Sequence, residues 1–157
     1  GGSASTGTLG TSSQRLYVMN PSAAANGFTL TIAATSGATS KWANTGVTRT
    51  YDFNDSGTSG CSDGADADSI SGQLTIDPSA GTLTTDCLSC TSTNITKGSS
   101  SAFVQGTTDS VTLLNAAAGS DDVWRGYLTG ATLSQTIPAE QAPDSYSINL
   151  TVTVTAS

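Results

Sequence analysis

The chain has 157 residues, a length that holds one domain with a core of its own. Charged residues are only 11% of it, the formal net charge is −7, and there is no His. Five basic residues are too few for a phosphate-backbone partner or an anionic membrane surface, so nucleic acid is excluded and divalent cations are the natural counter-charges.

No apolar run approaches the roughly 18 residues that a membrane span requires. Serine and threonine make up about a third of the chain, and Gly adds 17 residues. Threonine suits a pleated half-exposed face, serine and glycine suit turns, and the usual helix builders are scarce. The composition predicts an all-β fold. Aromatic residues recur from Tyr17 to Tyr146, which separates the chain from Ser/Thr-rich disordered tracts. A start at Gly1-Gly2-Ser3 without Met reads as a processed N-terminus and points to an extracellular, cell-surface location.

Residues 1–13 form a small, polar segment in which Leu9 is the only large apolar residue. They are expected to be an extended N-terminal arm, from Gly1 onward, preceding a single domain at 14–157. Such a tail frays unless something holds it, and a contact with another copy would do so. Period-2 alternation, the mark of a half-buried strand, then appears in several runs. Gln14 to Asn20 places Leu16 and Val18 on one face. Gly27 to Thr35 sends Phe28, Leu30, Ile32 and Ala34 inward. Val47 to Phe53 alternates Val47, Arg49, Tyr51 and Phe53 against Thr48, Thr50 and Asp52.

An acidic loop follows. Asp52, Asn54 and Ser56 stand at the first, third and fifth positions of a calcium-loop pattern, with Gly57 sixth and Asp63 twelfth. These four oxygen donors, Asp52, Asn54, Ser56 and Asp63, are the candidate calcium ligands. Carboxylates at Asp52, Asp55, Asp63, Asp66, Asp68, Asp77 and Asp86 share a stretch without Lys or Arg, so a compact loop calls for positive charge. The bland alternative is a solvated acidic loop whose side chains cap turns.

Gly72 to Asp77 reads as a strand ended by Pro78. Cys61, Cys87 and Cys90 are the only cysteines. Without His or a fourth Cys they do not make a structural zinc site. A disulfide fits an extracellular chain: Cys61 with Cys87 or Cys90, or Cys87 with Cys90, leaving one thiol over in each case. Asn94-Ile95-Thr96 is the most credible of three N-x-[ST] glycosylation sequons, the others being at Asn54 and Asn149. Strands are expected again within Thr107 to Asn115 and Tyr127 to Pro138. From Tyr146, the residues Tyr146, Ile148, Leu150, Val152 and Val154 share one face of a long closing strand, and Ser147, Asn149, Thr151, Thr153 and Thr155 the other. Many short strands with Asn-Pro, Asn-Gly, Asp-Gly and Asp-Pro turns between them predict a β-sandwich of jelly-roll or Ig-like type.

Absence of His excludes Ser–His–Asp and Cys–His nucleophiles. Only Lys41 and Lys97 remain for Ser–Lys chemistry or a lysine–asparagine crosslink, and nothing singles out a carboxylate pair. The chain is therefore not expected to be an enzyme. Trp42, Trp124 and Tyr127 are candidates for a sugar-stacking platform, against the commoner role of aromatics in cores.

Pro143-Asp144-Ser145-Tyr146-Ser147-Ile148-Asn149-Leu150-Thr151-Val152-Thr153-Val154-Thr155 resembles the closing strand of bacterial pilus and spore-coat-type subunits, which end in a tyrosine followed by alternating apolar and Thr residues. Gln135 to Gln141 resembles the connection that precedes such a strand. The resemblance covers roughly the last thirty residues and implies a β-sandwich that polymerises when one subunit gives a strand to the next. The polar start departs from that pattern, because a donor strand carries regular apolar anchors. The expected function is a structural subunit of an extracellular filament or surface layer, with copies of itself as partners. The contact would use Gly1, Leu9, Tyr146, Ile148, Leu150, Val152 and Val154. The alternative is a glycan-binding adhesin-type module, calcium-dependent if the acidic loop holds the ion.

Overall fold

A computed structural model describes residues 2–21, 26–56 and 71–157. In chain order the strands are β1 (Ser3–Leu9), β2 (Leu16–Asn20), β3 (Phe28–Ala34), β4 (Trp42–Asn44), β5 (Thr50–Tyr51), β6 (Asn54–Asp55) and β7 (Gly72–Asp77). They continue as β8 (Thr82–Thr85), β9 (Ile95–Lys97), β10 (Ser101–Ala102), β11 (Ser110–Ala116), β12 (Trp124–Thr129), β13 (Ala131–Ile137), β14 (Tyr146–Ser147) and β15 (Leu150–Ala156). Among the described residues helix is limited to 3-10 turns at Gly37–Thr39 and Pro78–Ala80. The fold is all-β and of sandwich type, as the composition predicts.

All pairings among the described residues are antiparallel. One sheet runs β1-β13-β7-β10 with β6 on β7, a second β15-β3-β11-β9, a third β2-β12-β8 and a small fourth β14-β4-β5. The core draws on the first three: Val18, Phe28, Leu30, Ile32, Leu74, Ile76, Val111, Leu114, Trp124 and Leu128 are buried together. Strand β3 follows its alternation throughout, with Phe28, Leu30, Ile32 and Ala34 inside. In β11 a register shift between Thr112 and Leu114 turns both Leu113 and Leu114 inward, the effect of a bulge that re-aims one side chain.

Of the expected strands, one is divided and one shortened here, each for a local reason. The run from Tyr127 to Pro138 becomes β12 and β13 in different sheets, separated at Gly130, whose φ is +77. Gly10, with φ +78, separates β1 from β2 at the same corner, and Gly130 N–H donates to Gly10 O at 2.8 Å. A Cβ on Gly10 would stand 2.6 Å from Leu128 O. The run from Val47 to Phe53 keeps only Thr50–Tyr51 as strand. Val47 instead occupies a turn at φ +54, left mostly exposed, where the Asn44 side chain accepts the N–H groups of Thr48 and Arg49.

The arm expected at 1–13 is taken up within the chain itself. Gly1 lies outside the described residues. Ser3–Leu9 forms β1, paired along its whole length with β13 from Ser3↔Ile137 to Leu9↔Ala131. Its side chains are exposed except for half-buried Leu9. Backbone hydrogen bonds therefore hold a segment that its side chains alone would leave frayed.

Gly10→Ala should cost about 2 kcal/mol or more, because the positive-φ penalty adds to a clash with backbone. Gly46, at φ +92 with nothing near its would-be Cβ, carries the conformational penalty alone. Gly46→Ala should therefore cost about 1 kcal/mol. Denaturant unfolding of the two variants checks the difference.

Candidate functional site

Among the described residues strand β15 forms the outer edge of its sheet, paired only with β3, from Leu150↔Ala34 to Ala156↔Phe28. The closing strand expected from Tyr146 to Thr155 is in fact two strands. Tyr146–Ser147 pairs with β4 in the small sheet, and the chain passes to β3 at Ile148–Asn149, where Thr35 N–H donates to Asn149 O at 2.9 Å. The apolar alternation survives this change of sheet, but its burial does not. Tyr146, Ile148 and Leu150 are half-buried, whereas Val152 and Val154 are 40% and 50% exposed.

The reason is visible across the gap. Among the described residues strand β2 is likewise the outer edge of its own sheet, paired only with β12. Arg15, Leu16 and Tyr17, at the start of β2 and just before it, line one open groove of about 390 Å³ together with Leu30, Val152 and Val154. Two strand edges thus border an apolar groove that no described strand covers. This groove is the candidate functional site. Beside it Arg15 lies over the Tyr127 ring at 4.3 Å, and Tyr17 stacks on Tyr127 with centroids 6.2 Å apart. Tyr17 OH donates to Asp86 at 2.6 Å, and that bond is the main reason the phenol is held above its ordinary pKa. The sequence signals Leu16 and Val18 as inward residues but not that the neighbouring edge stays open.

The other candidates are placed as follows. Asp52 and Asn54 are buried, Ser56 is exposed, and Asp63 lies outside the described residues. Asn54 Nδ2 donates to Ala38 O at 2.9 Å, and Asp52 meets Lys41 Nζ at 3.5 Å. Among the described residues no three His, Cys, Asp or Glu side chains gather as metal ligands. The positive charge missing from the acidic stretch is supplied at Asp52 by Lys41, eleven positions upstream. Lys97 donates to the carbonyls of Ser79 and Gly81. Cys87 and Cys90 form a disulfide, and Cys61 lies outside the described residues. Gly60-Cys61-Ser62-Asp63-Gly64 spells a G-x-S-x-G pattern, also outside them, in a chain that has no His to serve it. Of the sequons, Asn54 is buried, Asn149 is exposed, and Asn94 is exposed at φ +60 with Nδ2 donating to Gly119 O at 3.0 Å.

The three aromatics of the supposed sugar platform do not meet as one. Trp124 is fully buried against Phe28, with centroids 5.7 Å apart. Trp42 stacks on Tyr51 at 6.0 Å and donates its indole N–H to Gln135 Oε1 at 2.8 Å. Gln135 is itself buried, and its amide donates to Asp52 O at 3.0 Å. Tyr51 meets Tyr146 edge-on at 5.1 Å, and Tyr146 OH donates to Ala142 O at 2.8 Å. Asp144 accepts from Asn44 at 2.9 Å and from Arg49 at 3.2 Å, and its carboxyl is held below the ordinary range, chiefly by the Asn44 bond. This corner fixes where the chain enters β15.

Comparison with protein-family models, with curated proteins and with solved structures finds no match to this chain.

Gln135→Leu should cost about 2–4 kcal/mol, because it leaves the Trp42 N–H and the Asp52 carbonyl without this partner in a buried setting. Thermal and denaturant unfolding measure it. Burial, with a smaller contribution from Tyr146, pushes the Tyr51 phenol from 10.0 up to about 12. The folded state therefore favours the neutral phenol, and the associated stability is complete below pH 10.0 and lost as pH rises toward about 12. Unfolding of wild type and Tyr51→Phe across that window should show a shallower alkaline decline in the variant.

Proposed function

We propose that this chain is a structural subunit of an extracellular filament or surface layer, joined copy to copy by β-strand addition. The observation that carries the proposal is the uncovered apolar edge at Val152 and Val154, bordered by Leu16 and Leu30. An exposed strand edge presents a row of unpaired N–H and C=O groups, and natural proteins blunt such edges with Lys, Pro or bulges. Strand β15 carries no charged residue and no Pro, and its pairing with β3 is unbroken. Strand β1 is likewise uncharged and lacks Pro, and no described strand pairs with its second edge.

Pairing the free edge of β1 in one copy with the free edge of β15 in the next joins two different surfaces. Such a contact is heterologous and open-ended, so it propagates into a filament where a two-fold contact would stop at a dimer. Main-chain hydrogen bonds supply the joint, and partial burial of Val152 and Val154 adds the apolar gain. The disulfide and the hydroxyl-rich surface suit an extracellular setting. For the glycan-binding alternative, Trp124 is wholly buried and offers no stacking face, which leaves Trp42 and Tyr127 half-buried and apart.

Electron microscopy and sedimentation of the full chain beside Val152→Lys/Val154→Lys test this reading. Filaments from the wild type and a folded monomer from the variant, with unfolding stability within about 1 kcal/mol because both sites are exposed, are expected. A wild-type chain that stays monomeric at high concentration removes the basis of the proposal.

A further inference from the structure

A second hollow borders the open edge from the side of β1. The inward residues of β1 are Ser5, Gly7 and Leu9, which stand opposite Gln135, Leu133 and Ala131 of β13. Gly7 has no local reason to be glycine. Its φ is not positive, and a Cβ there would meet only Leu133, at 3.9 Å, an ordinary contact. Glycine inside a strand is unfavourable and marks a place where another group comes close. The space it leaves is a hollow of about 140 Å³, lined by Ser5 and Gly7 of β1 and by Trp42, Leu74, Leu133 and Leu150. The polar groups around it are already bonded. The Trp42 N–H donates to Gln135 Oε1 at 2.8 Å, and the Gln135 amide donates to the carbonyls of Asp52 and Thr136 at 3.0 and 2.8 Å. A hollow so lined favours an apolar occupant over water.

We infer that this hollow is a socket for the edge valines of a second copy. Strand β15 of the neighbouring copy lies antiparallel along the second edge of β1, which no described strand pairs with, and sets its Val152 opposite Gly7 and its Val154 opposite Ser5. The inference rests on the assembly reading and fixes its register. Side chains stand across the plane of a sheet, so a strand laid beside β1 places its inward residues next to those of β1. Val152 and Val154 are inward residues of β15, yet 40% and 50% exposed. They are two positions apart, as Ser5 and Gly7 are. Two small residues on one edge therefore match two uncovered apolar residues on the other. Neither edge carries a charge that opposes the contact. The direction is that of the ladders both strands already make, β1 on β13 and β15 on β3. A slip of one residue would turn both valines to the outer face and leave the hollow empty.

The test compares the wild type with Gly7→Val and Thr8→Val by sedimentation, electron microscopy and denaturant unfolding. Valine at position 7 fills the socket from within its own chain and suits a strand better than glycine does. Gly7→Val is therefore expected to unfold at a denaturant concentration no lower than the wild type, while its assembly needs about tenfold more protein. Thr8→Val changes an outward, exposed residue and should assemble as the wild type does. In a second arm, chains carrying Gly7→Cys are mixed with chains carrying Val152→Cys or Val154→Cys, all with Cys61→Ser, and gently oxidised. Each chain of a pair carries one of the two introduced cysteines, so a disulfide between them joins two copies. The mixture of Gly7→Cys with Val152→Cys should cross-link several-fold faster than that of Gly7→Cys with Val154→Cys. Equal assembly of the wild type and Gly7→Val, or faster cross-linking at position 154, overturns the socket and leaves strand addition standing. A wild type that stays monomeric at high concentration removes both.

Discussion

The architecture depends on a corner at which three neighbouring strands leave one sheet and enter another together. Strands β1, β13 and β7 lie side by side in the first sheet, and β2, β12 and β8 in the third. The links between them pass through Gly10, Gly130 and the segment ending at Gly81. Each glycine is there for want of space or of a left-handed conformation. A Cβ on Gly81 would stand 2.8 Å from Thr129 O, and Gly10 and Gly130 both take positive φ. Strands that change sheets at a bend let two layers close over one core without a long connection. Because the whole ribbon turns together, β1 and β2 end as edges of two different sheets, and the β2 edge lies against the groove that β15 leaves open.

A second polar contact, deeper in the molecule, fixes the opposite side of that groove. The inward face of β13 is apolar at Ala131 and Leu133 but carries Gln135, which joins Trp42 of β4 to the Asp52 carbonyl. Through Trp42, Tyr51 and Tyr146 the small sheet is held against the first one. Tyr146 then sets where the chain leaves β14, and thereby the register of β15 on β3. Buried polar bridges of this kind specify one arrangement more sharply than apolar packing does, because an unmade bond is costly.

Much of this was legible in the sequence and some was not, for identifiable reasons. The alternation of β3, of β7 and of Leu16–Asn20 depends only on neighbours two residues apart, and it reads directly. Tyr127 to Pro138 and Tyr146 to Thr155 also alternate, yet each changes sheet midway. Period-2 patterning reports which face is apolar, not which strand lies alongside. Ser3–Leu9 carried no apolar alternation, with Leu9 its one large apolar residue, since backbone pairing with β13 orders it. In the acidic stretch the spacing of Asp52, Asn54 and Ser56 could be read, but the Lys41–Asp52 pair could not, because the two residues are brought together across β4 and β5. At the candidate groove, Val152 and Val154 were recognisable as apolar, but not as uncovered, because their exposure is set by the separation of β2 from β15.

Long-range charge and local edge chemistry then act in opposite senses on any contact between copies. A net charge of −7 makes two identical subunits repel at a distance. The edge strands β1 and β15, however, contain no charged residue, so nothing at the joint itself opposes pairing. Repulsion between exposed charges fades beyond about 10 Å at 0.1 M salt, whereas apolar contact and main-chain hydrogen bonds do not depend on that screening. Under the proposed reading, ionic strength therefore governs how often copies approach, and the Thr/Val edge governs whether they remain joined. With no carboxylate on β1 or β15, the charge that keeps copies apart at a distance does not protect the strands that would join them.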